Sequence, residues 1–94
     1  MTDQPVVYMN GEYKPLGEAN ISVLDQGFLL GDAVFDVVSA WQGTIFRLDA
    51  HLDRFEDSLR ATRLTPSLDR AGWREAIIET ARRNNLQDAS IRFI

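Results

Sequence analysis

The sequence contains no cysteine. That absence excludes disulfide staples, thiolate metal sites and cysteine nucleophiles, and it suits a reducing compartment. Histidine occurs once, at His51, and lysine once, at Lys14. A lone histidine without cysteine forms no H-E-x-x-H pattern, and no metal site is expected. No stretch approaches the roughly 20 apolar residues that cross a bilayer. The opening residues Met1-Thr2-Asp3-Gln4-Pro5 are polar and acidic, with no apolar signal core. A cytoplasmic protein with no membrane partner is the expectation. Excess positive charge is also lacking. The 94 residues carry a net charge of −4 and no Lys/Arg stripe, so nucleic-acid phosphates would repel them.

What is present suits one small domain. An apolar share of 45% against 26% charged residues allows a modest core in a chain of this length. Val6-Val7-Tyr8-Met9, then Asn10-Gly11, then Glu12-Tyr13-Lys14 predicts a hairpin, because Asn and Gly both tolerate positive φ. Pro15 is expected to end that pairing. Ile21-Ser22-Val23-Leu24 is read as a further short strand, and Gly27 and Gly31 as punctuating a loop. Val34 to Trp41 is rich in β-branched and aromatic residues and predicts a strand. Phe35, Val37, Ser39 and Trp41 share one of its faces; Val34, Asp36, Val38 and Ala40 share the other. Gln42-Gly43 reads as a turn, and Thr44 to Arg47 as the returning strand.

The period then changes. Asp49 is a candidate N-cap, and Leu52, Phe55 and Leu59 recur at helical spacing to about Arg63. Thr65-Pro66-Ser67 breaks that helix. A second helix starts near Ser67 or Asp69, carries the stripe Trp73, Ile77 and Ala81, and stops at Asn84-Asn85. Ser90 to Ile94 reads as a strand. It has no turn or polar tail after it, and a longer parent sequence is expected. The fold class is therefore α+β: antiparallel hairpins and short strands packed with two helices on one side.

Several residues could carry chemistry. Arg54, in His51-x-x-Arg54-Phe55, reads alone as a solvated arginine beside the apolar stripe. A guanidinium near a helix start, beside free backbone N–H groups, also suits a phosphate. His51 is given a structural hydrogen-bonding role. Asp25 and Asp32 read as turn residues beside glycine. Asp36 differs, because it follows Phe35 on a strand and could point into a cleft. Phe35, Val37 and Ser39, read alone, are core.

The run Leu24-Asp25-Gln26-Gly27-Phe28-Leu29-Leu30-Gly31-Asp32-Ala33-Val34-Phe35-Asp36, followed by Trp41-x-Gly43 and Phe46-Arg47-Leu48-Asp49-x-His51-x-x-Arg54, resembles the N-terminal signature of the class IV, or fold-type IV, pyridoxal-phosphate aminotransferases. The likeness runs from Val7-Tyr8-x-Asn10-Gly11 to Ser90-Ile91-Arg92. It implies that residues 1–94 are the N-terminal small domain. It further implies pyridoxal 5'-phosphate as cofactor, Arg54 as a ligand of its phosphate, and Phe35, Val37 and Ser39 facing the substrate. A homodimer that moves an amino group between an amine or amino acid and a keto acid follows by the same resemblance. That chemistry needs a Schiff-base lysine. Lys14 lies on the hairpin, so the lysine is expected beyond Ile94, in a second domain, and this chain alone is expected to be inactive. No catalytic residue is assigned within it.

Within the family, the run is closest to the R-selective amine transaminases, although those often carry His-Ser where Leu30-Gly31 stand. Branched-chain members tend to have Gly at position 37 and Arg at 39. D-amino acid members also tend to have a basic residue at 39, where it helps to neutralise a substrate carboxylate; Ser39 cannot. An aminodeoxychorismate lyase shares the signature, and a stand-alone non-catalytic module is the alternative of a different class.

Overall fold

A computed structural model describes residues 4–94 of the chain; the polar start at Met1 to Asp3 lies outside the described residues. The N-terminal hairpin pairs β1 (Val6–Met9) with β2 (Glu12–Pro15), from Val6 opposite Pro15 to Met9 opposite Glu12. Asn10 and Gly11 turn it with φ of 50° and 89°, the left-handed backbone the dipeptide favours. Asn84 holds the hairpin to the rest. Its Oδ1 accepts from the Val6 N–H at 2.7 Å and its Nδ2 donates to the Val6 carbonyl at 2.8 Å.

Two expectations fail between residues 20 and 31. Ile21 to Leu24 is not a strand. Ser22 folds back instead, its hydroxyl accepting from the Leu24 N–H and its carbonyl from the Asp25 N–H, both at 3.0 Å. With its backbone used locally, the segment offers no ladder to a neighbour. The expected loop from Gly27 to Gly31 is a short helix, α1 (Gln26–Leu30). Asp25 caps it by accepting from the Phe28 N–H at 3.2 Å, and Gly31 closes it at φ 67°. Good caps at both ends outweigh one internal glycine.

The main sheet has the order β4-β3-β5 and is antiparallel throughout, with β3 (Asp36–Trp41) central, β4 (Thr44–Ile45) and β5 (Ala89–Phe93). β3 starts two residues later than the sequence suggests. The return through β4 is also shorter, because Arg47 at φ 55° turns the chain into a helix. That helix, α2 (Leu48–Thr62), begins one residue before Asp49. Asp49 is not its N-cap; it lies in the first turn and accepts from Arg74 at 2.6 Å. The helix α3 (Arg70–Arg83) is capped by Asp69, whose side chain accepts from the Gly72 N–H at 2.8 Å.

The core lies between one face of the sheet and the two long helices. Leu48, Leu52, Phe55 and Leu59 recur every three or four residues on α2 and are buried. They meet Ile77 and Ala81 of α3 and Val38, Ile91 and Phe93 of the sheet. Phe55 sits edge-to-face with both Trp73 and Phe93, each at 4.9 Å between ring centroids. Arg70 bridges α3 to α2, donating to Glu56 and Asp53, and Arg74 to Asp49 does the same one turn along. No described helix is long and apolar enough to cross a membrane.

Candidate functional site

Strand β3 alternates, and its alternation sets the site. Val38 and Ala40 face the helices and are buried. Asp36 lies on that same face, and a carboxylate there must be paired to be tolerated. It is 7% exposed. Helix α2 supplies the partner from its second turn. Arg54 donates from Nε to Asp36 Oδ2 at 2.8 Å and from Nη2 to Oδ1 at 2.7 Å, a two-bond fork. His51, one turn earlier, puts Nδ1 3.0 Å from Oδ1. The Val37 N–H donates to the same oxygen at 2.8 Å.

The His51 ring nitrogen also stands 3.2 Å from Arg54 Nη2. Two donors cannot bond each other, so one contact is incidental. A buried carboxylate needs donors, and Nη2 already has Asp36, so Nδ1 is assigned as the N–H that donates to Asp36. The Arg54 guanidinium, foremost, holds the Asp36 carboxyl well below the usual carboxylate range; burial opposes it, and His51 and the Val37 N–H reinforce it.

Asp36 thus points not into a cleft but into a charged cluster at the edge of the core. Arg54 is not merely solvated. One edge of its guanidinium is fixed, while its side chain remains 67% exposed. Among the described residues, Nη1 has no hydrogen-bond partner. His51 has the hydrogen-bonding place expected of it.

The other face of β3 is open. Phe35, just before the strand, is 60% exposed, Ser39 and Trp41 are exposed, and Val37 is half-buried. The reading of Phe35, Val37 and Ser39 as core therefore fails; the helices cover the alternate residues. Arg92 joins this face, because β5 pairs it directly opposite Val37. Its guanidinium carbon lies 5.1 Å from the centre of the Phe35 ring. Sequence reading did not single out Arg92. The signal was available in principle, since pairing Val34–Trp41 with Ser90–Ile94 would have placed an arginine on the Phe35 face. The partner strand and register were missing.

Lys14 is on β2, a separate two-stranded sheet, with its Nζ 3.6 Å from Glu12. Asp25 caps α1, and Asp32 follows that helix's C-cap. Neither joins the Asp36 cluster.

The family described as amino-transferase class IV matches residues 33–94, which include the whole of that cluster. The chain belongs to the class IV aminotransferases. Among curated relatives, a putative branched-chain-amino-acid aminotransferase of Methanocaldococcus jannaschii is 38% identical over 94% of this chain and 31% of the relative. The aminodeoxychorismate lyase of Bacillus subtilis is 29% identical over 93% of this chain and 30% of the relative. Among solved structures, the T.th. branched-chain amino acid aminotransferase, complexed with N-(5'-phosphopyridoxyl)-L-glutamate, superposes with a TM-score of 0.89 at 32% identity. That match covers 98% of this chain and 32% of the solved one. The chain therefore spans about a third of the length of these relatives, and its α+β fold is that of the corresponding part of a class IV aminotransferase.

Proposed function

We propose that this chain is the small domain of a pyridoxal-phosphate-dependent transaminase, moving an amino group between an amine or amino acid and a keto acid. The observation that carries the reading is Arg54. It is fixed on one edge by a buried carboxylate and open on the other, in the segment that matches the family. A guanidinium on a helix, with two N–H donors unengaged among the described residues, fits a phosphate. The first turn of α2, with its positive dipole end, adds to the pull on an anion. When bound, the cofactor supplies the electron sink that amino-group transfer needs.

The chain's own residues would bind and shape. Arg54 would anchor the phosphate. Phe35, Val37 and Ser39 would border the substrate on the open face of β3. Arg92, on that same face, is suited to a substrate carboxylate and would take the part that Ser39 cannot. The cofactor-bearing lysine is proposed to lie in a larger domain after Ile94, in keeping with relatives about three times as long.

A homodimer and a cytoplasmic setting are proposed with it, on resemblance and composition. The exposed apolar run Leu24, Phe28, Leu29 and Leu30 on and beside α1 is surface of the kind that partners cover. The branched-chain and D-amino acid readings suit Arg92. The lean to R-selective amine transaminases stays with the Leu24–Leu29 run, and the lyase with the Bacillus subtilis relative. Full-length protein supplied with pyridoxal 5'-phosphate, an amino donor and a keto acid should exchange the amino group. The 94-residue chain alone should not. Turnover by the short chain, or none by the long one with any amine or amino acid, would defeat the reading.

A further inference from the structure

We infer that Asp36 is a positioning residue whose buried carboxylate clamps one edge of the Arg54 guanidinium and presents the other edge, already ordered, to the cofactor phosphate. This rests on the reading of Arg54 as a phosphate ligand, and goes beyond it by assigning the group that prepares the arginine.

The asymmetry of the pair is the first argument. Asp53, Asp49 and Asp57, the aspartates paired with Arg70, Arg74 and Arg60, are exposed by about 70%. Such pairs form and break at little cost. Asp36 is instead buried and fixed on the central strand, opposite Phe93. Its carboxylate can therefore dictate where Arg54 sits, and Arg54 cannot do the reverse.

Stability alone gives no reason for a charge at this place. Val38 and Ala40, the next two residues on the same face, are apolar and buried. An apolar residue at 36 would avoid the desolvation of a carboxylate, and such replacements are often neutral or stabilising. What the carboxylate adds is direction. A guanidinium carries five N–H donors. Asp36 engages Nε and Nη2, and the pair of donors on Nη1 has no hydrogen-bond partner among the described residues.

Charge argues the other way, since a carboxylate near an anion repels it. Two features limit that term. The Asp36 charge is met by Arg54, His51 and the Val37 N–H before any ligand arrives. The repulsion also acts across the full width of the guanidinium, at an exposed site where salt screens it. The gain is one of order rather than charge. Ordering one rotamer-rich side chain in advance is worth about three- to tenfold in affinity.

The test uses the full-length protein freed of cofactor. Affinities for pyridoxal 5'-phosphate, for inorganic phosphate and for pyridoxal lacking the phosphate are measured for wild type, Asp36→Asn, Asp36→Glu, Arg54→Ala and the Asp36→Asn/Arg54→Ala double variant. Asp36→Asn should weaken both phosphate-bearing ligands by about three- to tenfold and leave pyridoxal unchanged. Asp36→Glu should recover part of the loss. In the Arg54→Ala background, Asp36→Asn should have no further effect on phosphate. Equal phosphate affinity in wild type and Asp36→Asn, with Arg54→Ala weakened, overturns the inference alone. So does an equal loss for pyridoxal, which marks a merely structural role. Unchanged affinity in Arg54→Ala overturns the phosphate reading itself. Should Asp36→Asn not fold, Asp36→Glu decides. It keeps the charge but moves the carboxylate by one methylene, so affinity for both phosphate-bearing ligands should fall while that for pyridoxal holds; wild-type phosphate affinity would overturn the inference.

Discussion

The two faces of β3 divide the work of the molecule between alternate residues. Toward the helices, Val38 and Ala40 are buried, Val38 in the core with Ile91 and Phe93 of β5. Away from them, Val37, Ser39 and Trp41, with Phe35 before and Arg92 across, lie open or half-open. A period of two lets one six-residue strand hold the fold together with one face and leave the other open. Asp36 is the exception that joins the two roles. It lies on the packed face, yet its partner Arg54 reaches outward. The difference teaches that burial on one face holds in place the strand that presents the other.

That division can be broken most severely from the packed side. Phe55 is almost fully buried and touches the rings of Trp73 and Phe93. Phe55→Ala in the full-length protein should cost this domain about 3–5 kcal/mol, read as a lowered denaturant midpoint. A loss no larger than that of an open-face substitution would show that the packed face is not the source of stability.

Acid sharpens the comparison at Asp36. Its folded-state carboxyl titrates below the ordinary aspartate value of 3.8, so the fold favours the ionised over the protonated carboxyl, fully above that value. The contribution is lost as pH falls below 3.8 toward the depressed value. Glu79 and Glu56 are also lowered, by Arg82 and Arg70 respectively, but both are more exposed than Asp36 and their pairs are more screened. Between pH 5 and pH 3 the thermal midpoint should fall, and Asp36→Asn should flatten that slope. An unaltered slope would remove Asp36 from the account of acid sensitivity.

The open face should respond in function and hardly in stability. Ser39→Ala and Arg92→Gln should each change stability by less than about 0.5 kcal/mol. Arg92→Gln should raise KM for acidic or keto-acid substrates in the full-length protein, while Ser39→Ala changes it little. A large stability loss for either would mean that this face is packed rather than free.

Much of this was legible in the sequence, and the reason is locality. The Asn10-Gly11 turn, the α2 stripe and the stop at Asn84-Asn85 depend on neighbours within four residues, and all stand as read. The 18-residue step from Asp36 to Arg54 depends on how β3 docks against α2, which no local pattern records. The same limit explains why Phe35, Val37 and Ser39, taken alone, read as core. Both faces of that strand are apolar, so composition alone does not say which one the helices cover. At Ile21 to Leu24, β-prone side chains lost to a serine turn that uses up the backbone.

The central claim is that Arg54 holds the cofactor phosphate, and Arg60, on the same helix and exposed, is its natural control. The direct measurement is the dissociation constant of pyridoxal 5'-phosphate from full-length protein carrying Arg54→Ala or Arg60→Ala. Loss of charge-assisted hydrogen bonds to a phosphate predicts a weakening of about 10- to 100-fold for Arg54→Ala and no change for Arg60→Ala. Equal affinities for the two variants would contradict the account.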